Sequence, residues 1–366
     1  MNRKQEIAAG IIAVTILCLF VGFTLWGIVL KSKAEALQFV RGMGAGINLG
    51  NTLDATGLWD YKPDADELEY ETCWDNPKTD AETFRAMKKA GFGTVRIPVT
   101  WEDHLDAEYR ISDVWMDRVQ EVVDMALEEG LYVILDLHHE EWLDLKIERE
   151  TEIREEFVII WEQIAERFQE YDERLLFESM NEPRLRNSEY EWNSGTEELR
   201  GMVNKLNEDF VETIRAAGGE NKRRYLLVCP YVNTSEMEAM QNMSVPDDNH
   251  LIVSVHMYDP YLFCQIEDDN SDWDTEETRE RVSNAFQNMN SLFIEQNIPV
   301  ILTEFGCKDK GNTEARVAWT NYYMTQSKRY GIPCIWWDCE EYTLLDRENK
   351  TWKFPEIVEA LTGRIP

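Results

Sequence analysis

The feature that most restricts the fold of this chain is a series of eight short apolar runs separated mostly by amphipathic stretches. The runs occupy residues 44–51, 94–99, 132–139, 175–181, 225–230, 250–258, 299–306 and 334–338. The amphipathic stretches with helical period occupy residues 113–130, 151–169, 197–217, 275–296 and 313–330. In the first of these, Gly130 stands where a helix C-cap is expected. Near-continuous apolar strands that alternate with helices predict an all-parallel sheet covered by helices.

Eight is the number of strands that closes a (β/α)8 TIM barrel, so this α/β fold is our first expectation. The length of 366 residues suits one such barrel of about 250 residues with insertions. A doubly wound open sheet is the alternative. The two folds differ in where active residues lie. A barrel gathers them from the C-terminal ends of many strands, whereas an open sheet gathers them at one switch point.

Polar and aromatic side chains stand in or just after seven of the eight runs. They are Asn48, Asn51, Arg96, His138, His139, Asn181, Glu182, His256, Tyr258, Glu304, Trp336, Trp337 and Asp338. A single buried histidine or arginine would be explained by packing. A set spread over so many strand ends is what a barrel needs for a catalytic face. The pattern therefore predicts an active site at this end of the barrel.

Metal, phosphate and serine chemistry have little support in the sequence. Successive strand residues point to opposite faces, so we expect only one of His138 and His139 to point into the barrel. Neither His-x-His nor H-E-x-x-H occurs, and the glycine-containing run 44–50 lacks the lysine of a P-loop. No G-x-S-x-G elbow occurs either. We expect no metal and no cofactor.

Two carboxylates remain, Glu182 and Glu304, after the fourth strand and within the seventh. These strands face each other across a barrel mouth. One protonated and one ionised carboxyl group at a shared cleft are the equipment for cleaving a glycosidic bond. Arg96 and Tyr258 are placed to keep one of them ionised. The tryptophans in predicted loops that could stack on sugar rings are Trp59, Trp74, Trp142 and Trp192.

The motif "LLFESMNEPR" resembles the signature of glycoside hydrolase family 5, the retaining cellulase-type barrels. The resemblance covers nearly all of residues 40–362. It extends through "GINLGNTLDA", "ETCWDNP", "RIPVTW", "ILDLHHE", "VHMYDPY", "LTEFG" and "WWD". The first two of these motifs and the tail "LLDRENKTWKFPEIVEAL" are similar to subfamily 4, which includes endoglucanases acting on cellulose, mixed-linkage glucan and xyloglucan.

The resemblance implies Glu182 as acid/base and Glu304 as nucleophile, with Asn181 binding the sugar 2-hydroxyl. It implies supporting roles for Arg96, His138, His256, Tyr258 and Trp337, and we add Asn48, His139 and Trp74 as substrate-side candidates. One departure is "WWDCEE", where relatives of subfamily 4 typically read "WWDNG". Because of this departure, the resemblance does not assign the substrate contacts of the loop after the eighth strand.

The implied activity is that of a retaining endo-β-1,4-glucanase acting by double displacement. The alternatives are a xyloglucanase, a lichenase or a mannanase with the same machinery. A non-catalytic glycan-binding barrel is disfavoured because both glutamates are present. A formal charge of −33 disfavours nucleic acid as a partner, and we expect a β-glucan substrate and a monomeric catalytic domain.

The N-terminus predicts export. Residues from Ile7 to Leu30 carry no charge, with basic residues on both sides, and a run of about 20 apolar residues can cross a bilayer as a helix. We assign residues 1–36 to a signal anchor or a cleaved signal peptide and 37–366 to the catalytic domain, and expect an extracellular location. Of the seven cysteines, Cys229 and Cys334 stand in strand-like runs and are expected to be buried thiols; the sequence identifies no disulfide.

Overall fold

The computed structural model describes residues 34–266 and 273–366. Eight parallel strands form a closed barrel in chain order. They are β1 (Gly46–Asn48), β2 (Thr94–Ile97), β3 (Tyr132–Asp136), β4 (Leu175–Glu178), β5 (Leu226–Val228), β6 (Leu251–His256), β7 (Val300–Phe305) and β8 (Cys334–Trp336). β1 pairs with β8 and closes the ring. The barrel prediction is confirmed, and the open-sheet alternative is wrong.

In the described part of the chain, eight helices cover the outside of the barrel, apart from the short helical segments Leu58–Tyr61 and Tyr261–Gln265. They are α1 (Ala81–Lys89), α2 (Asp113–Glu128), α3 (Glu150–Arg167), α4 (Glu197–Ala216), α5 (Met237–Gln241), α6 (Glu276–Leu292), α7 (Thr313–Tyr330) and α8 (Pro355–Thr362). The five helices predicted from periodicity correspond to α2, α3, α4, α6 and α7. Helix α2 ends as expected, since Gly130 follows it with a φ of 74° that favours glycine. A two-stranded hairpin, β9 (Leu345–Asp346) with β10 (Thr351–Trp352), precedes α8.

The barrel interior has an apolar layer below a polar one. The apolar layer consists of Ile134, Leu176, Leu227, Ile252, Ile301 and Ile335, all buried in one cluster. Residues two positions further along these strands face the same interior because side chains alternate along a strand. On β3, β4, β6 and β7 those residues are the buried Asp136, Glu178, Ser254 and Thr303. The strands therefore support a buried polar network directly beneath the C-terminal mouth.

A helical segment, residues 34–43, packs under the apolar layer at the opposite end of the barrel. Ala36, Val40 and Met43 are buried in the same cluster as the interior isoleucines. Phe39 stacks on Tyr225 with ring centroids 4.0 Å apart. Residue 36 is therefore part of the folded domain. The domain boundary that we predicted between residues 36 and 37 lies within this helical segment.

The apolar run from Ile7 to Leu30 lies outside the described residues. Within residues 34–266 and 273–366, no helix is both long and apolar enough to cross a membrane. The six cysteines of these ranges are free thiols. Cys229 and Cys334 are fully buried, as predicted.

Candidate active site

Glu182 and Glu304 meet at the C-terminal mouth of the barrel. Glu304 lies near the end of β7, and Glu182 lies four residues after β4. One carboxylate oxygen of each lies within 4.8 Å of the other, and the same limit includes one nitrogen of His256. Sequence reasoning placed these two glutamates across a shared cleft, and the structure brings them together.

Glu304 is held by two direct donors. Arg96 Nη1 donates to Oε1 at 2.8 Å, and the Tyr258 hydroxyl donates to Oε2 at 2.9 Å. Only 7% of the Glu304 side chain is exposed. Both donors favour the ionised form of the carboxyl group, as predicted for Arg96 and Tyr258.

Glu182 is held in a strained backbone conformation. Its φ is 46°, in the left-handed region that a residue with a Cβ adopts at a cost of about 1–3 kcal/mol. Its backbone N–H donates to Asn233 Oδ1 at 2.8 Å, and its carbonyl accepts from Arg184 Nη1 at 2.8 Å. These contacts to both backbone groups fix the direction of the side chain.

His256 links the two glutamates. Its Nδ1 lies 3.0 Å from Glu182 Oε1 and 3.5 Å from Glu304 Oε2. His256 ends β6 where its pairing register with β7 shifts between Val255 and His256. Such irregularities redirect side chains at barrel rims. The shift brings this imidazole to the two carboxylates.

Arg96 is the centre of the buried network below the mouth and is fully buried itself. Besides Glu304 it contacts Glu178 through Nε at 2.6 Å and Asp136 through Nη2 at 2.6 Å. Asn48 Oδ1 and Asn181 Oδ1 accept from its remaining N–H groups at 3.1 and 3.0 Å. Asn48 also donates to the carbonyls of β7 and β8, which fixes the position of Arg96.

His138 and Trp337 form one wall of the site. Their rings are nearly parallel, with centroids 5.6 Å apart. His138 Nδ1 lies 2.9 Å from Asp136 Oδ2. Trp336, in contrast, is fully buried and donates its indole N–H to the Tyr342 carbonyl. The choice of Trp337 over Trp336 as the site tryptophan agrees with this placement.

The sequence predicted that only one of His138 and His139 points into the barrel; the structure shows both rings close together at its mouth. β3 ends at Asp136, so strand alternation does not apply to the two histidines. Their ring centroids lie 4.4 Å apart, and both rings approach Asp54. His139 also lies 5.7 Å from the half-buried Trp74, so both of these predicted candidates are at the mouth.

The other loop tryptophans have different surroundings. Trp59 donates its indole N–H to the Ala65 carbonyl and packs edge-on against Tyr70, and Trp142 donates to Glu140 Oε2. Both are half-buried. Trp192 is 64% exposed and lies over the guanidinium of Arg184. Of the loop tryptophans named from the sequence, Trp192 presents the largest open surface.

Burial raises the pKa of Glu182, against the opposing effect of Arg184 and Arg96. Burial also raises the pKa of Glu304, while the charge of Arg96 and the hydrogen bond from Tyr258 oppose this effect. Two carboxylates this close do not ionise together easily. We place the shared proton on Glu182, because the charged Arg96 and the Tyr258 hydroxyl both donate to Glu304. Glu182 has only His256 Nδ1 at 3.0 Å and the more distant Arg184 Nη1 at 3.6 Å.

The histidines of the site are neutral. Burial lowers the pKa of His256, and it lowers the pKa of His138 well below its ordinary value, helped by the charge of Arg96. A neutral His138 donates its Nδ1 proton to Asp136, which leaves Nε2 as an acceptor. Burial also raises the pKa of Tyr258 well above its ordinary value, so its hydroxyl remains a donor.

Sequence reasoning missed Asp136, Glu178 and Arg184. The first two lie in apolar runs, and their signal was their spacing: Asp136 follows Ile134 by two positions, and Glu178 follows Leu176 by two. Such spacing places a side chain on the same strand face. Arg184 is the last residue of the motif "LLFESMNEPR". Asn233 had no local signal, because its role depends on a contact across 51 residues.

Among the residues that the structure describes, two groups of side chains could hold a metal ion by their spacing. They are Asp54 with His138 and His139, and Glu182 with His256 and Glu304. The Asp54 oxygens already accept from the backbone N–H groups of Asn51 and Thr52. Protein donors likewise engage both oxygens of Glu304. These bonds explain both clusters without a metal, and we assign none.

The chain matches known proteins over most of its length. The model of the family described as cellulase (glycosyl hydrolase family 5) matches residues 61–343. Endoglucanase B of Ruminococcus albus is 41% identical over 337 residues, which are 89% of this chain and 80% of that protein. Endoglucanase A of Clostridium longisporum is 38% identical over 341 residues, which are 90% of this chain but 66% of that protein.

Solved structures agree with the sequence matches. A GH5 xyloglucan-specific endo-β-1,4-glucanase from a metagenomic library, in complex with cellotriose, superposes with a TM-score of 0.86 at 37% identity. That match covers 90% of this chain and 99% of the other.

Proposed function

This chain belongs to glycoside hydrolase family 5, and from that membership we propose that it is a retaining endo-β-1,4-glucanase that hydrolyses internal bonds of β-glucans. The observation that carries the proposal is the pair Glu182 and Glu304, with one oxygen of each within 4.8 Å of the other. Retaining enzymes hold the two carboxyl groups about 5–5.5 Å apart, and inverting enzymes need roughly 6.5–9.5 Å to admit a water. The spacing supports double displacement.

In the first step, a Glu304 oxygen attacks the anomeric carbon and forms a covalent glycosyl ester. The bond to the leaving oxygen breaks, and Glu182 donates its proton to that oxygen. Arg96 and Tyr258 keep Glu304 ionised before the attack, because both donate to its oxygens. Neutral His256 sits between the two groups and donates a hydrogen bond without adding a charge.

In the second step, Glu182 is a carboxylate and acts as the base. It removes a proton from water as the water oxygen attacks the anomeric carbon, and the ester bond to Glu304 breaks. The result is net retention of configuration. The burial that raises the pKa of Glu182 suits the acid role, and the loss of negative charge on Glu304 in the ester helps Glu182 to stay ionised for the base role.

The proposed substrate class is a β-glucan. Which β-glucan the enzyme prefers is a second and more specific question. One related structure is named as xyloglucan-specific, and another is a lichenase from Caldicellulosiruptor sp. F32, at 37% identity and a TM-score of 0.84, in complex with cellotetraose. A panel of carboxymethylcellulose, mixed-linkage glucan, xyloglucan and glucomannan tests this point. Cleavage of none of the β-glucans by the purified protein would contradict the proposed activity.

We also propose that the enzyme works outside the cytoplasm, held at the membrane by residues 1–36 or released after their removal. The support is the uncharged run from Ile7 to Leu30 with Arg3, Lys4, Lys31 and Lys33 around it. Cell fractionation with sequencing of the mature N-terminus tests it. Membrane-bound protein that starts near Met1 indicates an anchor, and a start near Leu37 indicates a cleaved signal. Protein confined to the cytoplasm would contradict export.

A further inference from the structure

A cavity of about 650 Å³ opens at the N-terminal end of the barrel. Its walls are formed by the end of the helical segment 34–43, the turns before β1, β2 and β8, and the last turns of α7 and α8. Because the turns before the strands lie at their N-terminal ends, the cavity is at the opposite end of the barrel from Glu182 and Glu304. It is therefore separate from the candidate active site.

The cavity is basic, although the chain carries a formal charge of −33. Arg41, Lys328 and Arg329 line it, and no acidic residue in the described part of the chain does. Arg364 lies beside it, since a Cβ added to Gly91 in the cavity wall would be 2.9 Å from Arg364 Cδ. Four other surface cavities are each lined by at least three acidic residues. This cavity therefore differs in charge from the other four.

The four cations at this cavity have no acidic partner. Among the arginines that the structure describes, all but four form an ion pair with a carboxylate. One of the four, Arg224, is buried and donates to backbone carbonyls. The other three are Arg41, Arg329 and Arg364, and Lys328 is likewise unpaired within the described residues. Because three arginines without a partner meet at one cavity, we infer a site for external negative charge.

The dipole of α7 explains only part of this arrangement. Lys328 and Arg329 stand in the last turn of that helix, where a positive charge is favourable. Arg41 and Arg364 come from two other segments of the chain, and the dipole of α7 does not explain why they lie at the same cavity.

The cavity lies close to the point where the described chain begins. The first described residue is Ala34, and only residues 31–33 separate it from the uncharged run that ends at Leu30. The four steps from Leu30 to Ala34 span at most about 14 Å. Arg41 is about 10 Å further along the helical segment. Phospholipid headgroups extend about 5–7 Å beyond the hydrocarbon core of a bilayer. With the uncharged run in the bilayer, as proposed above, the N-terminal end of the barrel lies next to the headgroups.

We propose that the cavity and its four cations are a docking surface for the phosphate groups of anionic phospholipids at the outer face of the membrane. The inference rests on the proposed anchor in residues 1–36. Guanidinium and ammonium groups donate strong hydrogen bonds to phosphate oxygens, and each cation near an anionic bilayer strengthens binding about fivefold. The acidic remainder of the surface is repelled by the same bilayer. The barrel therefore lies with this end on the membrane, and its active-site mouth faces away from the membrane.

The test measures how fast phenylglyoxal modifies individual arginines of the full chain in nanodiscs. One set of discs contains phosphatidylcholine alone, and the other contains equal parts of phosphatidylcholine and phosphatidylglycerol. Arg41 should react at least about fivefold more slowly in the anionic discs, because lipid phosphate covers its guanidinium. Arg110 is the internal control, since it is exposed and lies between β2 and α2 at the active-site end of the barrel. Its rate should be the same in both sets of discs.

Lys328→Gln/Arg329→Gln removes two of the cations and leaves Arg41 as the reporter. The difference in the Arg41 rate between the two sets of discs should then fall to less than about twofold. Lys62→Gln/Lys146→Gln is the matched control. It removes two cations from loops that follow β1 and β3 at the active-site end, and it should keep the wild-type difference.

An Arg41 rate that is the same in both sets of discs would overturn the docking surface, and so would equal slowing of Arg41 and Arg110. Equal slowing of Arg41 by inorganic phosphate in the neutral discs would also overturn it, because the cavity would then bind a free anion. Loss of the full chain from the disc fraction would instead contradict the proposed anchor, on which the docking surface depends.

Discussion

Glu182 and Glu304 each place one carboxylate oxygen within 4.8 Å of the other, although 122 positions separate them in the numbering of the chain. Only Glu304 accepts hydrogen bonds from both Arg96 and Tyr258. The difference in donors assigns different protonation states to two residues of the same type. This asymmetry is the basis of the roles proposed for them.

Replacement of Arg96 should damage both stability and activity. In Arg96→Met, the buried carboxyl groups of Asp136, Glu178 and Glu304 lose their shared cation. Breaking a buried ion pair in this way costs about 3–5 kcal/mol. Urea denaturation measures that loss, and kcat should fall about 10²-fold or more, as for loss of a preorganised donor.

Arg174→Met is the control for this variant. Arg174 pairs with Asp172 at 3.0 Å, and their side chains are 39% and 50% exposed. Such a surface pair contributes less than about 1 kcal/mol. If Arg96→Met were as stable and as active as Arg174→Met, the central place of Arg96 in the network would be contradicted.

Arg184→Met should move the basic limb of the pH profile to higher pH. The Arg184 charge lowers the pKa of Glu182, so its loss lets burial raise that pKa further. The acid form of Glu182 then persists to higher pH, and the basic limb of kcat/KM reports the change. Arg184→Lys keeps the charge and should leave the limb closer to wild type. A basic limb that stays in place or moves to lower pH in Arg184→Met would count against this coupling.

Glu340→Gly should stabilise the loop after β8. Glu340 has a φ of 46°, which a residue with a Cβ adopts at a cost of about 1–3 kcal/mol. The flexibility of glycine in the unfolded chain offsets part of the gain. We expect a net increase of about 1 kcal/mol in the free energy of unfolding. Asn297→Gly, at a φ of 60°, should gain less, because asparagine tolerates this region. A loss of stability in Glu340→Gly would show that its side-chain contacts outweigh the strain.

Because of Glu140, the free energy of unfolding should decrease as pH rises from about 4.5 towards 8. Burial raises the pKa of Glu140 to about 8, with a further contribution from nearby Glu102. Between the unfolded pKa and the folded one, the folded state holds a proton that the unfolded state has released. The free energy of unfolding then falls by up to about 1.4 kcal/mol per pH unit from this group. At pH values below the pKa of Glu140 in the unfolded state, its contribution to stability is fully present. At pH values above its pKa in the folded state, this contribution is lost.

Glu140→Gln tests that contribution by its slope. Glutamine does not titrate, so the variant should lose less stability than wild type between pH 5 and 8 in thermal or urea unfolding. Its absolute stability starts lower, because Glu140 accepts from both Trp101 N and Trp142 Nε1 and an amide has only one oxygen to accept with. Parallel stability curves for the two proteins would contradict the raised pKa.

The barrel was predictable because the sequence has eight apolar runs of strand length, and most of them are separated by amphipathic stretches of helix length. The polar residues at the strand ends were predictable for the same reason, since the barrel collects them at one mouth. Residues whose role depends on contacts across the fold were not. Asn233 orients Glu182, but it follows no strand pattern. The shared approach of His138 and His139 to Asp54 depends on where β3 ends, which periodicity does not give to within one residue.

The most direct measurement of the proposed roles is azide rescue of two variants on an activated aryl cellotrioside. Glu182→Ala should lose about 10²- to 10⁴-fold on polysaccharide, yet still form the glycosyl enzyme from a substrate that needs no proton. Azide then attacks the ester and gives the β-glycosyl azide. Glu304→Ala lacks the nucleophile, so azide attacks directly from the vacated face and gives the α-glycosyl azide. The opposite pair of anomers would reverse the two roles, and near-normal activity of both variants on polysaccharide would contradict the active site itself.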